Sequence, residues 1–332
     1  MLQRRSKSVK IYKKDVGKRL ARKGIGMNLS EMGSNGRLNH ACQAAYVRRY
    51  TLTDGAESGL KVVECNNGKL RVLLNESKAL DIMQIFYKGQ NTSFVSKNGF
   101  TARETGFINR FEGGALYTCG LDAAGYLEGK ELHGRLHNIP AKITRAELDE
   151  NGITVQAEIS FTALFGENIV IKRTVFTPYD SGSVELQDTI INKGWKDAEF
   201  CLLYHTNVGY PLLDENGRIF ADVKTVTPRN AHAESLADRW NEIFPPENDA
   251  EEVCYYIRPA GNAVRYENTA TGRKFTLRFG KEMDKVIIWK SWQSGDYALG
   301  IEPTTTFLDE NFSYEKLPAR SERKFGVSIT IE

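Results

Sequence analysis

The feature that most narrows the possible folds is a succession of short strand-like segments with no helix between them. From about Tyr46 onward, "YVRRYTL", "LKVVEC", "KLRVLL", "ITVQAEISF", "NIVIKRTVF", "SVELQDTII", "AEFCLLYH", "FTLRFG", "KVIIWKSW", "YALGIEP" and "KFGVSITIE" are rich in Val, Ile, Thr, Phe and Tyr. Many alternate apolar with polar residues, the pattern of a strand with one buried face. Turn residues punctuate them at Asp54-Gly55, Asn66 to Gly68, Asn151-Gly152, Asp214 to Gly217 and Thr271-Gly272, where Gly and Asn supply the backbone conformations a tight reversal needs. So many strands without crossover helices predict an all-β fold, a large antiparallel β-sandwich. No repeat of fixed period is visible, which argues against a propeller.

Helical periodicity is nearly confined to the start of the chain, with a short helix expected in "AESLADRWNEIF". Residues 1–24 hold ten Lys or Arg against one acid, Asp15, so a chain of net charge +3 leaves about −6 on the remainder. The Val16, Leu20 spacing predicts a weakly amphipathic, solvated helix, and no aromatic-interleaved basic patch follows, so no nucleic-acid partner is expected. The expected organisation is a basic, partly helical arm over residues 1–35 and a β-sandwich over residues 36–332. No apolar stretch approaches the roughly 18 to 20 residues of a membrane span, and the basic start lacks the apolar core of a secretory signal. Cys42, Cys65, Cys119, Cys201 and Cys254 are odd in number, far apart and free of any CxxC pair, the pattern of reduced thiols in a cytoplasm. The glycine-rich runs "EGGALYTCG" and "GLDAAG" match neither a phosphate-binding loop nor a dinucleotide fingerprint, so no cofactor is expected.

The chemistry is concentrated in three stretches, "ELHGRLHN", "CLLYHTNVGYPLLDENGR" and "LGIEPTT". His205 ends a run that reads as a buried strand, where a histidine is costly without a partner or a task. His133 and His137 have the i, i+4 spacing of a helical metal pair. Gly134, Asn138 and Pro140 oppose a helix there and no cysteine lies near, so no metal is expected. His40 and His232 lie in polar, loop-like surroundings and read as exposed. Glu302 is flanked by apolar residues that would partly desolvate it and raise its pKa. A histidine and a carboxylate tuned in this way can move two protons without metal or cofactor.

"ALDI", "GGALYTCGLDAAG", "LHGRLHNIPA", "FGENIVIKRT", "LLYHTNVGYPLLDENGRI", "VTPRN" and "LGIEPTT" together resemble the aldose 1-epimerase (galactose mutarotase-like) superfamily, in a bacterial branch of it, over roughly Tyr46 to Glu332. The resemblance implies a β-sandwich whose concave face binds a sugar. It implies that His205 is the general acid that protonates the ring oxygen and Glu302 the base that takes the anomeric proton. His133 and Arg110 look like the substrate-binding His and Arg of the superfamily. Arg135 would add a fork of donors for hydroxyls or a phosphate, Asp81 and Asn207 would bind hydroxyls, and Trp289 with Trp292 would border the pocket. A further sugar-binding aspartate, which the superfamily carries between the catalytic His and Glu, is matched here to no position. The expected partner is an aldose or modified aldose, bound by a monomer or homodimer. The competing readings are a non-catalytic carbohydrate-binding protein and a lyase or hydrolase. A glycosidase would need two carboxylates flanking the bond, and only Glu302 has that motif support.

Overall fold

A computed structural model describes residues 36–332 together with Glu31, Gly33 and Ser34; the helical arm expected over residues 1–35 otherwise lies outside the described residues. The described chain forms eighteen strands joined in a single hydrogen-bonded sheet that folds over on itself. The first half supplies β1 (Tyr46–Thr51), β2 (Lys61–Asn66), β3 (Leu70–Asn75), β4 (Asp81–Tyr87), β5 (Gln90–Asn91), β6 (Leu116–Leu121), β7 (Lys142–Leu148), β8 (Gly152–Thr162) and β9 (Asn168–Pro178). The second half supplies β10 (Ser183–Asn192), β11 (Ala198–Val208), β12 (Gly217–Pro228), β13 (Val253–Asn268), β14 (Arg273–Phe279), β15 (Lys285–Ser291), β16 (Ala298–Thr304), β17 (Glu315–Leu317) and β18 (Glu322–Ile331).

All the strand pairings are antiparallel. One layer runs β1-β2-β3-β4-β6-β11-β16-β15-β13, and the other runs β14-β18-β10-β9-β8-β7. The sixteen-residue β13 joins them, because its first part pairs with β15 and its last part with β14. The two ends of the ribbon, β1 and β7, meet and close the molecule. The short helix expected in "AESLADRWNEIF" is present as Ala231–Ser235, followed by a tighter turn at Ala237–Arg239. His232 is half-buried there, whereas His40 is exposed and caps the turn Ala41–Gln43.

Alternation places the core. On β10, Val184, Leu186 and Ile190 point inward, and on β18 Phe325, Val327, Ile329 and Ile331 do the same. Each such side chain contributes about 1.5–3 kcal/mol by leaving water. On the paired strands β9 and β10, one buried charged residue each breaks the apolar rule. Asp188 sits on the inward face of β10 directly opposite Arg173 of β9, and a bidentate ion pair over 2.9 and 2.7 Å neutralises both. Strand β11 and its two neighbours β6 and β16 depart from alternation, and on β11 Phe200 through Val208 are buried without interruption. It lies inside its layer between β6 and β16, and it carries His205. No helix among the described residues is long and apolar enough to cross a membrane.

Candidate active site

Strand register builds the site. Leu203 faces Thr304 and Thr206 faces Ile301 across β11 and β16, which sets His205 opposite Glu302. On its other side His205 faces Tyr117 of β6, and beyond Glu302 lies Ile287 of β15, which faces Tyr256 of β13 through the next ladder. Tyr117, His205, Glu302, Ile287 and Tyr256 therefore form one cross-strand row on one face of the sheet, with side chains close enough to touch. The neighbouring row runs Asn207, Gly300, Trp289, Cys254. Its glycine is required. A Cβ on Gly300 would lie 2.5 Å from Glu302 Oε1 and 3.1 Å from the Trp289 ring, so only glycine lets the carboxylate and the indole share this face.

His205 Nε2 lies 3.2 Å from Glu302 Oε1, with only 7% and 3% of the two side chains exposed. The pair is a close contact and not an aligned hydrogen bond, because Glu302 Oε1 has no hydrogen-bond partner. No Lys or Arg forms an ion pair with Glu302 among the described residues, and burial, reinforced by the nearby Glu252 carboxylate, pushes its pKa well above the usual range. Burial, reinforced by His133, pulls His205 down to about 3. Both shifts favour the uncharged form of the group.

His133 comes to the same place from a loop. Its backbone has φ +63°, and Gly134 follows at φ +75°; a Cβ at Gly134 would stand 2.5 Å from the carbonyl oxygens of Gly120 and Ala123. The loop closes on the imidazole, whose Nδ1 accepts the Gly125 N–H at 3.2 Å. With Nδ1 an acceptor, the proton of the neutral ring is on Nε2. Burial lowers His133 to about 4, so it remains a neutral donor. The His133 ring packs on Phe107 at 4.9 Å and edge-on to His205 at 5.8 Å, while Phe111 at 5.6 Å and Trp289 at 5.5 Å complete an aromatic enclosure of His205.

Trp289 lies edge-on to the His205 ring at 5.5 Å. Trp292, expected beside it, is buried in the main core against Phe244 and Tyr297. Asp81 is also displaced from the expected role. Its carboxylate accepts the Thr118 N–H at 2.7 Å and hydroxyl at 2.5 Å and faces His137 Nδ1 at 2.6 Å and Arg173. Burial works to raise its pKa, but Arg173, His137 and Thr118 outweigh it and hold the acid below its ordinary value. His137 points into that network, away from His133, and its ring stacks on the back of Tyr117 at 3.7 Å; the two histidines do not form a metal pair. Arg135 is already engaged, by Asp122 at 3.0 Å and Glu167 at 3.2 Å, with its guanidinium over Phe161. Its fork ties loops together instead of waiting for a hydroxyl or phosphate. Arg110 is buried at the end of the Phe107–Asn109 turn and pairs with Glu131, although its Nε is unpartnered. Asn207 Nδ2 donates to Gly114 O and His205 O, both at 3.0 Å, so its donor side serves the protein, while its Oδ1 is buried without a partner.

Two residues of the rim escaped the sequence reading. Glu252 accepts from Trp289 Nε1 at 2.7 Å and from Arg229 at 2.6 Å. Burial raises its pKa, but these two donors prevail and keep it ionised. Arg229 stands in the quoted "VTPRN", and Glu252 ends an acidic run just before β13. The available signal was a carboxylate at a strand start between His205 and Glu302.

The fold is that of galactose mutarotase-like proteins. The chain superimposes on a Klebsiella pneumoniae protein provisionally described as an aldose 1-epimerase, with a TM-score of 0.77 and 17% identity, covering 92% of this chain and 90% of that one. A galactose mutarotase-like protein from Clostridium acetobutylicum gives 0.66 and 14%, covering 87% and 99%. One from Lactobacillus casei gives 0.57 and 11%, covering 82% and 100%. No curated protein matches the chain in sequence. By its sequence the chain belongs to the family described as a domain of unknown function, DUF4432, whose model matches residues 57–320.

Proposed function

We propose that the protein is an aldose 1-epimerase, an isomerase that exchanges the anomers of a sugar by acid-base catalysis without a cofactor. The observation that carries this reading is the 3.2 Å contact of His205 Nε2 with Glu302 Oε1, with His133 beside it. Ring opening must protonate the ring oxygen and deprotonate the anomeric hydroxyl, and both oxygens are bonded to the same carbon. An acid and a base that serve them belong side by side, on the same side of the anomeric centre. His205 and Glu302 meet that requirement. The His133 Nε2–H would donate to a neighbouring hydroxyl, Glu252 would accept from another, and the Trp289 face would cover the apolar side of the ring.

The charges favour a neutral sugar. Each arginine of the site already holds a carboxylate, Arg110 that of Glu131 and Arg229 that of Glu252. A phosphate or carboxylate on the substrate would have to displace one of them. The test is anomer exchange, followed by saturation-transfer NMR across a panel of aldoses, with wild type beside Glu302→Gln. Exchange above the spontaneous rate that is lost in the variant supports the reading. Sugar binding with no exchange for any aldose would replace it with a carbohydrate-binding protein.

A further inference from the structure

Beside His205, on the side away from Glu302, the cross-strand row places Tyr117. Its ring belongs to the cluster on the face of the site, with Cys119, Cys201, Leu203 and Ile287, and not to the main core. Neighbouring rings hold it there. His137, whose Nδ1 lies 2.6 Å from the Asp81 carboxylate, stacks on it at 3.7 Å, and Phe107 and Phe111 meet it edge-on at 6.0 and 5.3 Å.

The hydroxyl is what this packing leaves unexplained. Tyr179, Tyr204, Tyr255 and Tyr266 are equally buried, and each gives its O–H to a carbonyl or a carboxylate. Tyr117 is buried to the same degree, yet its hydroxyl has no partner in the protein. A buried, unpaired hydroxyl is costly, and native structures seldom carry one without a use for it. Burial pushes its pKa well above the ordinary value, so the group is a neutral O–H that can both donate and accept.

The order of the row identifies what that hydroxyl meets. On the proposed reading Glu302 serves the anomeric hydroxyl and His205 the ring oxygen, two oxygens bonded to C1. Passing from Glu302 to His205 therefore follows the sugar from its anomeric oxygen to its ring oxygen. The next atom in that direction is the carbon on the far side of the ring oxygen. Its exocyclic group points toward the next strand, about 4.8 Å further on, where Tyr117 stands.

We infer that Tyr117 is a specificity-determining residue whose hydroxyl pairs with the exocyclic hydroxymethyl group of a hexopyranose, so that the substrate is a hexose and not a pentose or a 6-deoxy sugar. The inference rests on the proposed anomer exchange and adds the substrate class to it. The surroundings agree. Arg110, the cation that acts on Tyr117, is paired with Glu131, so this end of the site offers a neutral hydroxyl and no free charge. Phe107 and Phe111 supply an apolar wall for the carbon that carries the hydroxymethyl group.

The test compares sugars that differ only beyond the ring oxygen. Each aldohexose that is exchanged is set beside its 6-deoxy form and the pentose of the same ring configuration, as 6-deoxy-D-glucose and D-xylose for D-glucose. The wild type should favour the hexose in kcat/KM by at least about a hundredfold, because a site built to bond a hydroxyl rejects the analogue that leaves its own group unpaired. Tyr117→Phe should cut that preference at least about tenfold, mainly by lowering the hexose value, and without sugar it should melt no lower than wild type. Equal exchange of hexose and 6-deoxyhexose by the wild type, exchange confined to pentoses, or a proportional loss for all sugars in Tyr117→Phe would overturn the inference. So would a marked fall in the Tm of Tyr117→Phe, since the hydroxyl would then serve the fold. Where no aldose is exchanged, dissociation constants for the same sugars decide the matter. Hexose-selective binding that Tyr117→Phe abolishes would keep the role of Tyr117 while the enzymatic reading falls, and binding without that selectivity, or none, would overturn both.

Discussion

Trp289 Nε1 donates to Glu252 Oε2 over 2.7 Å, and the same indole meets the His205 ring edge-on at 5.5 Å. A carboxylate at the rim thereby fixes the wall of the site. Hydrogen bonds to a charged group contribute about 1.5–3 kcal/mol. Glu252→Ala should therefore weaken sugar binding by about ten- to a hundredfold, and freeing the indole should shift tryptophan fluorescence. Turnover at saturating sugar should fall far less, because Glu252 reaches neither oxygen that exchanges a proton. A loss of kcat as large as that of Glu302→Gln would contradict this role.

Behind the site, Arg173 lies fully buried between Asp81 and Asp188, and Tyr204, the neighbour of His205 on β11, donates to Asp188 at 2.8 Å. Removing one partner of such a cluster leaves an uncompensated buried charge, which costs roughly 3–5 kcal/mol. Arg173→Met should lower the free energy of unfolding, measured by urea titration, by that amount. A change below about 1 kcal/mol would mean that the cluster is solvated in a way the burial of Arg173 does not allow.

Glu302 makes stability depend on pH with an unusual sign. Its folded pKa is raised, so above the ordinary value of 4.5 the unfolded chain loses a proton that the folded chain retains. Stability then falls as pH rises, by about 1.4 kcal/mol per unit until the folded pKa is reached. Glu302→Gln removes this dependence. The variant should be the more stable protein near pH 8, and its advantage should shrink toward pH 4. Asp81 and Glu112, whose folded pKa values are depressed, act the other way. Their contribution is present above the ordinary carboxylate range and is lost in acid, in the variant and wild type alike. Thermal melts from pH 4 to 8 measure both signs, and a variant advantage that does not grow with pH would refute the assignment.

Gly134 is held at φ +75° with two carbonyl oxygens where a Cβ would be. Gly134→Ala should displace the loop that presents His133, raising KM by about tenfold or more, at a strain cost of order 1–3 kcal/mol. Normal KM in a folded Gly134→Ala protein would show that His133 does not bind the sugar.

The strands were legible because alternation and turn residues are local signals, and each run from "YVRRYTL" to "KFGVSITIE" became a strand. The meeting of His205 with Glu302 was legible only through resemblance, since it is fixed by the register of β11 on β16 across 97 residues. Long-range partners explain the differences. Nothing near Asp81 in sequence announces Arg173, nothing near Arg135 announces Glu167, and Trp292 looks like Trp289 until the sheet assigns one to the core and the other to the site. Glu252 was missed for the same reason, for its partners Arg229 and Trp289 arrive from two other segments.

The most direct test of the central claim, that His205 and Glu302 share one acid-base step, is the anomer-exchange rate of His205→Asn, Glu302→Gln and the double variant at saturating sugar. Each general acid or base contributes roughly 10²- to 10⁴-fold, and groups that act as one unit are not additive. Each single variant should lose at least about a hundredfold in turnover, with much smaller changes in affinity, and the double variant should lose little more than the worse single one. Near-normal exchange in Glu302→Gln, or losses that multiply fully in the double variant, would contradict the account.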